Sequence, residues 1–108
     1  MPKGVLVVPS APAAADRDEE YNDWYNDVHL PEVLKVAGFT SARRFKAVGA
    51  GDDSAPYLAI YEVEADDLPG TVAALGAAVA SGEIHMSDAI DTQRAGLTLF
   101  EQIYELSS

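Results

Sequence analysis

Two segments of this chain are apolar on both faces when read as strands, and this constrains the fold more than any other feature of the sequence. In 57–65, Tyr57, Ala59, Tyr61 and Val63 fall on one side of a period-two alternation, with Leu58 and Ile60 on the other. In 96–106, Leu97, Leu99 and Ile103 oppose Phe100, Tyr104 and Leu106. Each segment needs cover on two sides, because apolar surface left in water costs roughly 25 cal/mol per Å². A chain of 108 residues suffices for one domain, 1–108, so that cover must come from few elements.

The remaining elements follow from local chemistry. Residues 4–9 form a β-branched run closed by Pro9, a first strand with both faces covered. Ala- and Pro-rich 10–15 reads as a surface loop. Asp16 or Asp18 is placed to cap a helix running to about His29, and Tyr21, Trp24, Tyr25 and Val28 form its apolar stripe at i, i+3, i+4 and i+7. Pro31 disfavours helical geometry at Leu30 and predicts a kink, then a short helical segment over 31–36 ending near Gly38. Strands are expected over 39–48 and 57–65. The turn formers of 49–56 make them a hairpin with a mobile tip. Asp66 or Asp67 caps a second helix, with Pro69 in its first turn, Gly82 beyond its end, and Leu68, Val72, Leu75 and Val79 on its apolar face. Residues 83–95 read as a loop with one helical turn near 87–90, and 96–106 as a long closing strand.

The order β-α-β-β-α-β is that of a ferredoxin-like α+β unit, an antiparallel four-stranded sheet with both helices on one face. The other face then has no cover within the chain. A second copy related by a two-fold axis is the economical cover, so a homodimer enclosing a dimeric α+β barrel is expected, with a pocket in each subunit between helices and sheet. A shifted strand register is the alternative.

Composition removes several classes of function. Seven Lys and Arg face eighteen Asp and Glu, for a net charge of −11, and the cations form no stripe. Nucleic acid and anionic membrane surfaces are therefore excluded as expected partners. No apolar run approaches the roughly 18 residues of a membrane span, and residues 4–8 are too short for the core of a signal peptide. There are no cysteines, hence no disulfides or thiolate metal sites, and cytoplasmic location is the default expectation.

The stretch Glu20-Tyr-Asn-Asp-Trp-Tyr-Asn-Asp-Val-His-Leu-Pro-Glu-Val-Leu34, followed by Ala37-Gly-Phe-Thr-Ser-Ala-Arg-Arg-Phe45, resembles the EthD-like branch of the dimeric α+β-barrel superfamily. There a helix carries Trp-Tyr and then His-x-Pro, as at Trp24, Tyr25, His29 and Pro31, and Pro-Gly-Phe leads into the second strand. Ala37 stands in place of that proline. Tyr57-Leu-Ala-Ile-Tyr-Glu-Val63 also suits the branch, whereas 83–95 matches poorly. The resemblance implies the fold and a small-molecule pocket. Its superfamily includes isomerases, polyketide cyclases, lyases, cofactor-independent oxygenases, haem enzymes and ligand-sensing domains, so the reaction stays open.

Among individual residues His29 is the first candidate for catalysis. On an ideal helix it lies about 40° from Tyr25, at the edge of the apolar stripe. Placed near a helix C-terminus it would favour the imidazolium form and suit general acid–base work, or else it locks the kink through a backbone hydrogen bond. Tyr25, one turn earlier, would orient it or hold a substrate oxygen. Trp24, Tyr57 and Tyr61 are candidate lining groups whose aromatic spacing equally fits core packing. Arg43 and Arg44 point to opposite faces, and Arg43 is a candidate for an enolate or carboxylate oxygen against the alternative of a surface ion pair. His85, near Asp88 and Asp91, sits in a segment able to close over a pocket, or is a solvated loop histidine. Two histidines this far apart make no metal pattern, and no Gly-rich phosphate loop or Gly-x-Ser-x-Gly elbow is present.

These residues point to a cofactor-independent isomerase, cyclase or lyase moving a proton on a small, largely apolar carbonyl or lactone metabolite. The alternatives are a non-catalytic binding or accessory domain and, third, haem binding or oxygen activation with His29 as axial ligand.

Overall fold

The computed structural model describes residues 1–49 and 55–107. Four strands, β1 (Lys3–Ser10), β2 (Phe39–Lys46), β3 (Tyr57–Glu64) and β4 (Thr98–Glu101), form one antiparallel sheet in the order β2-β3-β1-β4. Between β1 and β2 lies a helical stretch of α1 (Asp18–Trp24), a π-helical segment (Tyr25–His29) and α2 (Leu30–Val33); α3 (Leu68–Ser81) links β3 to β4. This is the expected ferredoxin-like α+β order. No helix among the described residues is long and apolar enough to cross a membrane.

Pro31 does not break the first helix. Leu30 keeps helical angles (φ −59°, ψ −47°), and its N–H donates to the Tyr25 carbonyl five residues back. In a regular α-helix the proline ring would press on the Asp27 carbonyl and leave it without a donor. Widening the preceding turn to π geometry relieves that clash, so the expected kink is replaced by a π segment carrying Tyr25 and His29. No carboxylate caps this helix; a 3₁₀ turn, Ala15–Arg17, leads into it instead, and Asp18 is bound by Tyr57 and Asn22. The helical part ends at Val33, and Gly38 takes a positive φ of 99° before β2. By contrast α3 follows its sequence signals closely. Asp67 Oδ1 accepts from Gly70 N at 3.1 Å, and Gly82 ends the helix with φ 85°.

The core lies between the sheet and these helices. Leu6, Ala59, Tyr61 and Val63 from the central strands pack with Tyr21, Tyr25 and Val33 of the first helix and Leu68 and Leu75 of α3. On the opposite face Val5, Val7, Leu58 and Ile60 are only half-buried, and Phe45 and Phe100 are 45% and 53% exposed. Cross-strand register sets Val5 against Phe100, Val7 against Ile60, and Leu58 against Phe45. The apolar open face expected from the sequence is thus present in the single chain.

β4 is much shorter than the expected 96–106. It runs antiparallel to β1 and passes the first residue of that strand; the last bond between them is Gln102 N–H to the Lys3 carbonyl, 2.8 Å. Beyond it no strand remains to pair with, and Ile103, Tyr104 and Leu106 stand exposed. The hairpin joining β2 and β3 is closed by Ala47 N–H to the Pro56 carbonyl at 2.8 Å, while the predicted mobile tip falls largely on 50–54, outside the described residues.

Candidate functional site

An apolar cavity of about 450 Å³ opens between the π segment, α3, the sheet and the connection 83–97. Val33, Val72, Leu75 and Val79 form its aliphatic wall, with Met86 and Leu97 from the connection. Tyr25, His29 and Tyr61 supply its polar atoms.

His29 reaches the cavity because the π turn sets it one turn after Tyr25 on the inner side of the helix. Its imidazole stacks on Trp24 (centroids 4.6 Å, interplanar 31°) and meets the Tyr25 ring edge-on at 5.0 Å. Nδ1 is buried and has no hydrogen-bond partner among the described residues. Burial lowers its pKa to about 4; Glu32 opposes that shift and Arg44 adds to it. The imidazolium expected from a nearby helix C-terminus is therefore not formed at neutral pH. The helix continues past His29 to Val33, so no free carbonyl cluster faces the ring, and desolvation decides its charge.

Tyr61, from the centre of β3, carries the second such atom. Its hydroxyl is buried without a partner, and burial pushes the phenol well above its ordinary range, with the Tyr25 phenol adding to the shift. Tyr25 is likewise raised, first by burial.

Of the other candidates, none lines the cavity. Tyr57 donates to Asp18 Oδ1 (2.6 Å) and accepts from Asn22 Nδ2 (3.2 Å), outside it. Trp24 backs His29 and donates from Nε1 to the His85 carbonyl at 3.0 Å. His85 is held by Glu32, whose carboxylate takes its N–H and its Nδ1, each at 2.7 Å. The exposed His85 ring and Trp24 thus tether the connection 83–97 to the first helix. Arg17 does the same further along, bonding the Asp88 carbonyl and carboxylate at 3.1 and 2.6 Å. Met86 sits between these tethers.

Arg43 lies on the open face in a loose, exposed pairing with Glu62 at 3.8 Å, far from the role considered for it. The cause is a bulge between Phe39 and Ser41. Strict alternation from the buried Phe39 would turn Arg43 inward, but the extra residue shifts the phase, and Ala42 and Arg44 join the inner face. The α3 stripe was legible as an apolar face; its role as cavity wall depends on long-range placement. Among the described residues, no group of three or more His, Asp and Glu is placed to hold a metal.

No protein-family model and no curated protein sequence matches the chain. Solved structures do. An EthD-family protein from Bacillus halodurans superposes with a TM-score of 0.64 at 19% identity, over 95% of this chain and 100% of that one. The haem degrader MhuD of Mycobacterium tuberculosis, solved with two haems in its active site, gives 0.68 at 17% identity, over 96% and 99%. HapK from Hahella chejuensis gives 0.59 at 8% identity, over 97% and 95%. At such identities the likeness is one of fold, and it agrees with the resemblance carried by residues 20–45.

Proposed function

We propose that this chain is a cofactor-independent enzyme of isomerase, cyclase or lyase type, moving a proton on a small, largely apolar carbonyl or lactone compound. The observation that carries this reading is that one apolar cavity is lined by two residues, His29 and Tyr61, each with a buried and unpartnered polar atom. A buried polar atom without a partner costs about 1–3 kcal/mol, so two around one cavity fit a bound ligand that supplies the missing bonds. Neutral His29 takes a proton from the carbon beside the carbonyl. The C–H electron pair moves onto oxygen as an enolate, and Tyr61 O–H donates to that oxygen. The imidazolium then returns the proton to another carbon, or to a leaving group in an elimination. Aliphatic walls keep water from the intermediate. NMR of the labelled histidines with a panel of small lactones, phenols and β-dicarbonyl compounds tests this. His29 is expected to shift with one class and His85 to stay still; a panel that moves neither ring removes the reading.

One observation favours the binding-domain alternative. A pKa of about 4 makes His29 a weak base, suited to a ring that only accepts a hydrogen bond from a ligand. Turnover separates the two. Haem suits the cavity less well, because its propionates call for cations and, among the described residues, no Lys or Arg lines the cavity. In the same experiment added haemin is expected to give no Soret band characteristic of bound haem.

In this reading the working unit is a homodimer, supported by the apolar open face formed by Val5, Val7, Leu58 and Ile60 with Phe45 and Phe100. Light scattering is expected to give the mass of two chains, and the double variant Ile60→Glu, Phe100→Glu that of one. A wild-type chain that runs as a monomer at all concentrations overturns it.

A further inference from the structure

Arg44 is the cation that the bulge in β2 turns inward, and its surroundings are unusual for so acidic a chain. Its guanidinium lies 4.3 Å from the centroid of the Tyr25 ring and 5.4 Å from those of Tyr21 and Tyr57. Nη1 donates to Asn26 Oδ1 and Nη2 to Asn22 Oδ1, both at 2.9 Å, while Nε is buried without a partner. Two carboxamides and three phenol rings hold it, and none of these is charged. Among the described residues it makes no ion pair, although the chain has eighteen acids. The nearby carboxylates are otherwise engaged, Asp18 by Tyr57 and Glu32 by His85.

A cation held only by neutral groups and withdrawn from water keeps an unneutralised field, which a lower local dielectric strengthens. That field reaches the cavity through Tyr25, which touches Arg44 and lines the cavity beside His29. The rest of the wall is aliphatic, and Tyr61 offers a hydrogen-bond donor. We propose that Arg44 is a positioning residue that fits the cavity to ligands bearing or developing one negative charge: phenols, enols and β-dicarbonyl compounds held as their anions. This rests on the small-molecule reading above and names its ligand class.

The test compares 4-nitrophenolate with its neutral isostere 4-nitroanisole, titrated by absorbance above the ionisation of the phenol. Wild type is expected to bind the phenolate at least about tenfold more tightly. Arg44→Met is expected to lose about tenfold for the phenolate and less than about twofold for nitroanisole, and Arg44→Lys to retain most of the preference. Equal losses for both probes in Arg44→Met would make Arg44 a packing residue and overturn the inference. So would a wild type that binds both alike, an arm that needs no variant to fold, and then the cavity reading would stand. If wild type binds neither probe, the cavity reading fails first.

Discussion

His29→Phe is expected to lower kcat on an identified substrate by about 10²–10⁴-fold while the protein stays folded and as stable as wild type, or more so, at neutral pH. The two effects have separate origins in the same ring. Phenylalanine preserves the aromatic shape that stacks on Trp24 and meets Tyr25, so the core loses little contact. It also removes Nδ1, a buried atom with no partner among the described residues and hence a standing cost in the unliganded chain. What disappears is the group that accepts the proton. Steady-state kinetics and thermal melts, run side by side, read both effects. Undiminished turnover would refute the proton-transfer role and leave His29 as packing, with the binding-domain reading ahead. A large loss of stability would mean that Nδ1 is bonded in solution.

Acid is expected to unfold the protein earlier than its carboxylates alone require. Unfolded His29 titrates near 6.5, whereas in the fold it stays neutral down to about 4. Between those values the unfolded chain binds one proton more than the folded one. Stability therefore falls with decreasing pH, by about 1.4 kcal/mol per unit and about 3 kcal/mol in all. The contribution is fully present above pH 6.5 and lost as pH drops towards 4. Glu20, Glu32 and Asp88 are held low by Arg17 and His85, so what they contribute is lost only below their ordinary values of 4.5 and 3.8. The two windows barely overlap. Denaturant melts at closely spaced pH values are expected to show a steep segment between 6.5 and 4 in wild type, and a flat one in His29→Phe. Identical profiles for the two proteins would place His29 in water.

Much of the architecture was legible because local chemistry and tertiary demand agree. The alternation in 57–63 put Tyr61 on the helix-facing side, and Asp67 and Gly82 marked both ends of α3. His29 and Tyr25 were recognisable from spacing and from the family resemblance. The failures lie where a distant partner decides. β4 stops because β1 begins at Lys3, which the composition of 102–106 does not record. Arg43 was preferred to Arg44 because alternation says that neighbours face apart without saying which faces in, and a single bulged residue reversed the phase. Charge on His29 was misjudged for a similar reason: local position suggested a helix end, whereas burial by elements distant in sequence keeps the ring neutral.

The π segment turns this stretch of chain into a measured length. Counted by hydrogen bonds, the turn from Tyr25 to Leu30 spans one more residue than a regular α-helical turn, so the helix behaves as if it had absorbed an insertion. Removing one residue there would restore an ordinary spiral and rotate everything downstream by about 100°. Val33 would leave the core, Pro31 would meet the carbonyl it now avoids, and the imidazole would swing off the cavity wall. Evolution can thus vary side chains within 25–30 with some freedom, but scarcely their number.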